Sequence, residues 1–169
     1  MSTLSSTLVS FSVSTFLQSS NALAPAPIPA ALAYAHTIAS GTGPDKADGV
    51  YIAQATLASG ADLDLDLSAS LTDLFGAAFS PVKVGLIAIV NGSSTAGEFL
   101  HVGNGTNPAF AGLFGAPAHT VKVGPGGALM WSSPVDGLTV TNTTADVLRI
   151  HNGGASSQAF SIILVGRSA

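Results

Sequence analysis

Four aspartates, Asp62, Asp64, Asp66 and Asp73, have the spacing closest to chemistry in this 169-residue sequence. In ADLDLDL the first three alternate with leucine, and Asp73 falls where a twelve-residue calcium loop that starts at Asp62 places its last acid. The rest of that loop is missing. Its sixth position needs glycine for a sharp turn and holds Leu67, the last acid is Asp rather than a bidentate Glu, and no helical pattern flanks the segment. Period-two alternation instead puts the carboxylates on one strand face and the leucines on the other, where like charges discourage edge pairing. The expectation is a solvated strand face and no metal ligand; a weak divalent site shared between subunits is the alternative.

The other reactive side chains are dispersed. His36, His101, His119 and His151 include no pair at the i, i+2 or i, i+4 spacing that sets two imidazoles on one face, so each reads as a loop or strand-end hydrogen-bonder. No serine stands in G-x-S-x-G. Gly124-Pro125-Gly126-Gly127 lies between strand patterns and reads as a tight turn, not a phosphate cradle. Trp131, in ALMWSS, reads as half-buried sheet packing rather than a sugar platform. With no catalytic, cofactor-binding or metal-binding residue assigned, the chain is not expected to be an enzyme.

Composition narrows the class further. Charged residues make up 8% of the chain, against about 25% in ordinary soluble domains. Its five cations, Lys46, Lys83, Lys122, Arg149 and Arg167, form no basic stripe, and the net charge is −4, so nucleic acid is not an expected partner. The longest apolar run, Gly85 to Val90, falls far short of the ~18 residues a membrane helix needs. There is no cysteine, hence no disulfide or thiolate site. Asn21-Ala22-Leu23-Ala24 has the small-residue look of a leader cleavage site, but no Lys or Arg precedes Lys46 and serines interrupt LVSFSVSTFL, so a secretory leader is not expected. The sequons at Asn91, Asn104 and Asn142 then carry little meaning.

The elements that would position these residues read as strands throughout. Val9, Phe11 and Val13 alternate with serines, APAPIPA enforces an extended spacer, and Leu32, Tyr34, His36 and Ile38 alternate again before the loop SGTGPDKADG. Nine short candidates follow: Val50–Leu57, Asp62–Leu67, Val82–Asn91, Glu98–Val102, Thr120–Val123, Ala128–Ser132, Leu138–Thr141, Val147–His151 and Phe160–Val165. Such spacing predicts an antiparallel sandwich or barrel over residues 49–169, preceded by an N-terminal arm with a Pro-rich spacer over residues 1–48. VGLIAIV and FSIILV are apolar on both faces and should be central strands, covered on the outer side by something else, such as a second subunit.

One internal echo recurs at an offset of 39: Leu74-Phe75-Gly76-Ala77 before Val82-Lys83-Val84-Gly85, and Leu113-Phe114-Gly115-Ala116 before Val121-Lys122-Val123-Gly124. Two copies cannot close a propeller. Equivalent corners of two sandwich halves would bury Leu and Phe, bend at Gly and start a strand with Lys outward; coincidence is the other reading.

TLASGADLDLDL, LTDLFG, VKVGLIAIVN, VGPGGALMWSSP, GLTVTNTTADVLRIHNGG and FSIILVG, in that order, resemble the small structural or decoration (cement) proteins of tailed-bacteriophage virions. The likeness runs from Thr56 to Gly166, and the first 48 residues match less well. It implies a jelly-roll-like β-sandwich on the capsid surface, commonly a symmetric homo-oligomer with a trimer favoured, whose partners are the major capsid protein or other virion proteins. A tail, neck or fibre component and a host-receptor or glycan-binding module are the alternatives. Partner contacts are expected at the uncharged strands and along the first 44 residues, where there is little charge to desolvate.

Overall fold

Alternation of apolar with Ser, Thr or Ala, broken by Gly, Asn and Pro, leaves no long helical stripe anywhere in the chain. The computed structural model describes residues 4–18, 27–69, 71–105 and 108–169, and contains no helix among them. Asn21 to Pro25, with the leader-like tetrapeptide and the first proline of the spacer, lie outside the described residues, as does Thr106 of the Asn104 sequon.

Among the described residues fourteen strands form in chain order: β1 Ser6–Gln18, β2 Pro27–Ser40, β3 Lys46–Ala47, β4 Gly49–Leu57, β5 Asp62–Asp66, β6 Leu71–Thr72, β7 Ala78–Phe79, β8 Lys83–Asn91, β9 Leu100–Gly103, β10 Thr120–Val123, β11 Ala128–Ser132, β12 Leu138–Thr139, β13 Val147–Asn152 and β14 Gln158–Arg167. One sheet runs β11-β8-β14-β4, with β12 also on β8, and the other runs β10-β9-β13-β5, all antiparallel. Among the eight main strands the chain changes sheet at every connection except the β9–β10 hairpin. This is an antiparallel β-sandwich of jelly-roll-like character, one of the two architectures that the strand spacing predicts. The predicted Leu138–Thr141 strand shrinks to the two residues of β12.

The core fills the space between the sheets with alternate residues from both: Ile87 and Ile89 of β8 and Ile162 and Leu164 of β14 face Leu100 and Val102 of β9 and Leu148 and Ile150 of β13, all buried. Trp131 packs half-buried against this cluster, and Gly124 to Gly127 make the β10–β11 turn, with Gly126 at φ 63°. β8 and β14 are the central strands of their sheet, as their two apolar faces require. Part of their outer face is covered by the chain itself rather than by a second subunit. Val9 and Ile38 pack there with Leu86, Val165 and Ala47 in a second, smaller core.

The two echoed corners are alike in backbone and unlike in burial. Gly76 (φ 82°) and Gly115 (φ 77°) both make the bend, and strands β8 and β10 then enter opposite sheets. Leu113 and Phe114 pack against the core, but Leu74 is 71% and Phe75 85% exposed, which corrects the expectation that both corners bury their Leu-Phe pair. The first corner is the exposed turn of the β6–β7 hairpin, whose Leu71 and Phe79 reach the core in place of Leu74 and Phe75.

Candidate functional site

Within the N-terminal arm, β1 and β2 form a long two-stranded ribbon. β1 and β2 pair antiparallel through thirteen matched positions, from Ser6 opposite Ala39 to Gln18 opposite Pro27. Pro27 and Pro29 thus belong to β2, not to a free polyproline spacer. Proline cannot donate to a ladder and is tolerated at a free edge, which β2 keeps at Pro27 and Pro29 because β3 pairs only with Ala39 and Ser40 at its other end.

Register sorts the ribbon into two unlike faces. Thr7, Val9, Phe11 and Val13 share one face with Ile38, His36, Tyr34 and Leu32. The opposite face carries Ser10, Ser12 and Ser14 against Ala35, Ala33 and Ala31, with Leu8 and Phe16 near its two ends. Val9 and Ile38, at the root, are 4% and 1% exposed. Farther out on the same face Phe11, Val13, Leu32 and Tyr34 stand 44–65% exposed. An apolar strip therefore begins in the core and leaves the sandwich uncovered.

Polar contacts fix the root. His36 Nε2 lies 2.5 Å from Asp45 Oδ1, Asp45 N donates to Pro134 O at 3.0 Å, and β3 pairs in parallel with the end of β2. Asp48 accepts hydrogen bonds from the amide and hydroxyl of Ser168, tying the segment after β3 to the C-terminus. The ribbon's departure angle is thus set by contacts to the sandwich.

Beside the root, the outer face of the β11-β8-β14-β4 sheet is also apolar. Met130, Ala88, Ile163 and Ile52 stand directly opposite one another across the four strands, with Val90 and Ala128 in the next row. Met130 and Val90 are 47% exposed, and Ile163 and Ile52 nearly 40%. Val50, Ile52, Leu74, Phe75 and Leu4 line a shallow pocket of about 200 Å³ at the edge of this face. Asp73 shapes the pocket rim by accepting the amides of Phe75 and Ala77, both at 2.8 Å.

The other sheet shows the opposite character. Antiparallel pairing sets Lys122 opposite His101, His101 opposite His151 and His151 opposite Asp62, so one row of titratable groups crosses β10, β9, β13 and β5. The two imidazoles, expected to be isolated, face each other with ring centroids 6.1 Å apart. They lie on different strands, so within-strand spacing gives no sign of the pair; matching the inward residues Leu100, Val102 and Ile150 across β9 and β13 is the signal that would find it. His151 Nδ1 is 2.6 Å from Asp62 Oδ1, and Arg149 grips Asp64 with two bonds of 2.7 and 2.8 Å while its other amino group lies 3.2 Å from Asp62. Lys122 Nζ sits 3.8 Å above the Phe99 ring. Partial desolvation, then the nearby His151 and Lys122, hold the His101 pKa below the ordinary histidine value. The hydrogen bond to Asp64 raises the Arg149 pKa further above its already high value.

An open hollow of about 320 Å³ lies over this row, bounded by Asp62, His101, Asn104, Thr120, Arg149 and His151. Among the described residues no hydroxyl is hydrogen-bonded to either imidazole, and no group of three or more His or acid side chains is set to hold a metal. The row braces the edge strand β5 against β13 by charge pairing.

The remaining candidates serve local structure. Asp66 accepts from the amide and hydroxyl of Ser68 at 2.9 and 2.8 Å, and the same hydroxyl lies 2.8 Å from Asp146 Oδ2. His119 Nδ1 lies 2.8 Å from the Phe114 carbonyl and closes its loop. The aspartate-leucine alternation appears as read, with Leu65 and Leu67 buried and Asp62 and Asp64 exposed, but these carboxylates are paired with Arg149 and His151 rather than merely solvated. The chain matches no protein-family model and no curated protein sequence.

Proposed function

We propose that this is a non-enzymatic structural protein of a phage-type virion, a decoration or cement protein that binds the head shell as a symmetric oligomer. One observation carries the reading: a ribbon with no Asp, Glu, Lys or Arg among its described residues projects an exposed strip of Phe11, Val13, Leu32 and Tyr34 away from a closed sandwich core. A contiguous apolar strip of this kind marks a surface made to meet protein. The jelly-roll-like fold agrees with the resemblance to virion decoration proteins. In a shell of many copies each contact needs only modest affinity, because attachment at several points accumulates.

Counting copies of the chain in purified particles tests this. Hundreds per particle support decoration, about a dozen move the protein to a tail or neck, and none removes the virion reading. Particles assembled with Phe11→Ser/Leu32→Ser in the full chain should hold far fewer copies; undiminished occupancy would remove the ribbon from the attachment.

A further inference from the structure

We infer that the apolar face of the ribbon packs on the outer face of the β11-β8-β14-β4 sheet of a second copy of this chain, so that each copy gives a ribbon and receives one. This rests on the oligomeric reading above and names the surface that builds the oligomer. Three observations select a second copy as the occupant.

First, the chain already makes this contact with itself. At the root the ribbon's Val9 and Ile38 seat on Leu86 and Val165 of that sheet, and the next residues outward on each surface, Phe11 and Tyr34 on the ribbon, Ile163 and Ala88 on the sheet, continue the same two faces uncovered. A ribbon with thirteen matched positions is roughly 40 Å long, so most of it extends beyond its own root and is free to lie on a neighbour.

Second, the surfaces match in charge because neither has any. The described ribbon residues and the outward residues of the four strands from Val50 to Val165 include no Asp, Glu, Lys or Arg; they are Val, Ile, Leu, Met, Ala, Ser, Thr and Gln on the sheet. Packing them together strands no buried charge, whereas the opposite sheet, with its row from Lys122 to Asp62, would need each charge to find a partner.

Third, both surfaces stand uncovered on every copy: Phe11, Val13, Leu32 and Tyr34 are 44–65% exposed on the ribbon, and Met130, Val90, Ile163 and Ile52 are 37–47% exposed on the sheet. Exchange of ribbons covers both apolar surfaces of each copy at once, with no other protein needed. The 200 Å³ pocket at Ile52, Leu74 and Phe75 offers a recess for an incoming ring at the edge of the footprint. Because ribbon and sheet are different surfaces, the contact is head-to-tail, and a closed ring satisfies every copy.

The chain has no cysteine, which makes the test direct. Full-length Val13→Cys and Ile163→Cys proteins, mixed and oxidised, can form a mixed disulfide only between copies. The inference expects the Val13→Cys chain to join the Ile163→Cys chain at least about tenfold faster than an Ala118→Cys chain, which is exposed and off this surface. It also expects the wild-type chain to be oligomeric by sedimentation, and Phe11→Ser/Leu32→Ser, with an unchanged circular-dichroism spectrum, to dissociate with about a hundredfold weaker association. A monomer at every concentration, an oligomer indifferent to the double substitution, or no preference for Ile163→Cys over Ala118→Cys would each overturn it. These outcomes are independent of particle occupancy: the virion reading can fail while the ribbon exchange stands, and the reverse.

Discussion

Arg167 donates Nη1 to the carbonyl oxygen of Pro134 at 2.8 Å, and that same oxygen accepts the amide of Asp45 at 3.0 Å. The arginine is 6% exposed, and its second amino group reaches the carbonyls of Val135 and Asp136 at 3.0 and 3.2 Å. One buried guanidinium thus organises the loop on which the ribbon's root is hung. Arg167→Met removes the guanidinium from the Val135 and Asp136 carbonyls and leaves Pro134 O to the Asp45 amide alone, and should cost about 2–3 kcal/mol, a melting-temperature fall of roughly 5–10 °C for a chain of this size. Hydrogen exchange at the Asp45 amide should accelerate in the same variant, whereas Arg167→Lys, with one point donor in place of a fork, should fall between the two.

Core and ribbon should respond to truncation in opposite ways. Leu164 is fully buried between the sheets, so Leu164→Ala should lower unfolding free energy by about 2–5 kcal/mol. Phe11, 44% exposed on the ribbon, should change the stability of an isolated chain by less than roughly 0.5 kcal/mol when truncated to Ala. Denaturant titration at a concentration low enough to keep the chain monomeric checks both, and a large Phe11 effect there would mean the strip is covered within one chain.

The polar row should make stability depend on pH through His101. Its pKa is lowered in the folded protein by desolvation and by the charges of His151 and Lys122, so between the ordinary histidine value and the lower folded one the unfolded chain binds more protons. Stability contributed by neutral His101 is therefore present above the ordinary value and lost as pH falls through that window. His101→Gln should flatten this segment of the stability profile. Lys122→Met removes one of the two charges, and an NMR titration should then find the His101 pKa closer to that of a free histidine.

Arg149 joins Asp62 and Asp64 on the same face, with its side chain 18% exposed and those of its partners 40% and 36% exposed. Solvent screens such a pair, so Arg149→Ala should cost only about 0.5–1 kcal/mol, and the loss should shrink as salt is raised. A loss unaffected by salt would assign the arginine's contribution to packing of its stem.

Gly154 lies against a buried polar network in which Glu98 accepts from Ser156 N at 3.1 Å and Gln158 Nε2 at 2.9 Å, while Asn152 Nδ2 donates to the carbonyls of Leu57, Ala58 and Ser156. A Cβ at position 154 would overlap both Glu98 Oε2 and Gln158 Nε2, whereas one at Gly124 meets nothing. Gly154→Ala should cost about 2–3 kcal/mol by prying this network apart, and Gly124→Ala should be nearly neutral in thermal melts.

Sequence by itself determined the longer strands of the sandwich and which way their side chains point, but not the two-residue strands β3, β6 and β7 or the proline end of β2. Alternation over Val50–Leu57 or Asp62–Leu67 needs only the two-residue period of an extended backbone, and a strand apolar on both faces, such as Phe160–Val165, must be central. Tertiary structure decided everything that depends on which strand lies beside which. Pairing of β9 with β13 places His101 against His151 although half a hundred residues separate them, and pairing of β1 with β2 turns a presumed spacer into a ribbon whose apolar face joins the outer sheet. Leu74-Phe75 and Leu113-Phe114 are nearly the same words, yet one pair is bare and the other packed, because burial depends on what lies opposite in space. Local periodicity carries the direction of a side chain; its neighbour is set by long-range register, which many alternating strands leave open until one closed core selects it.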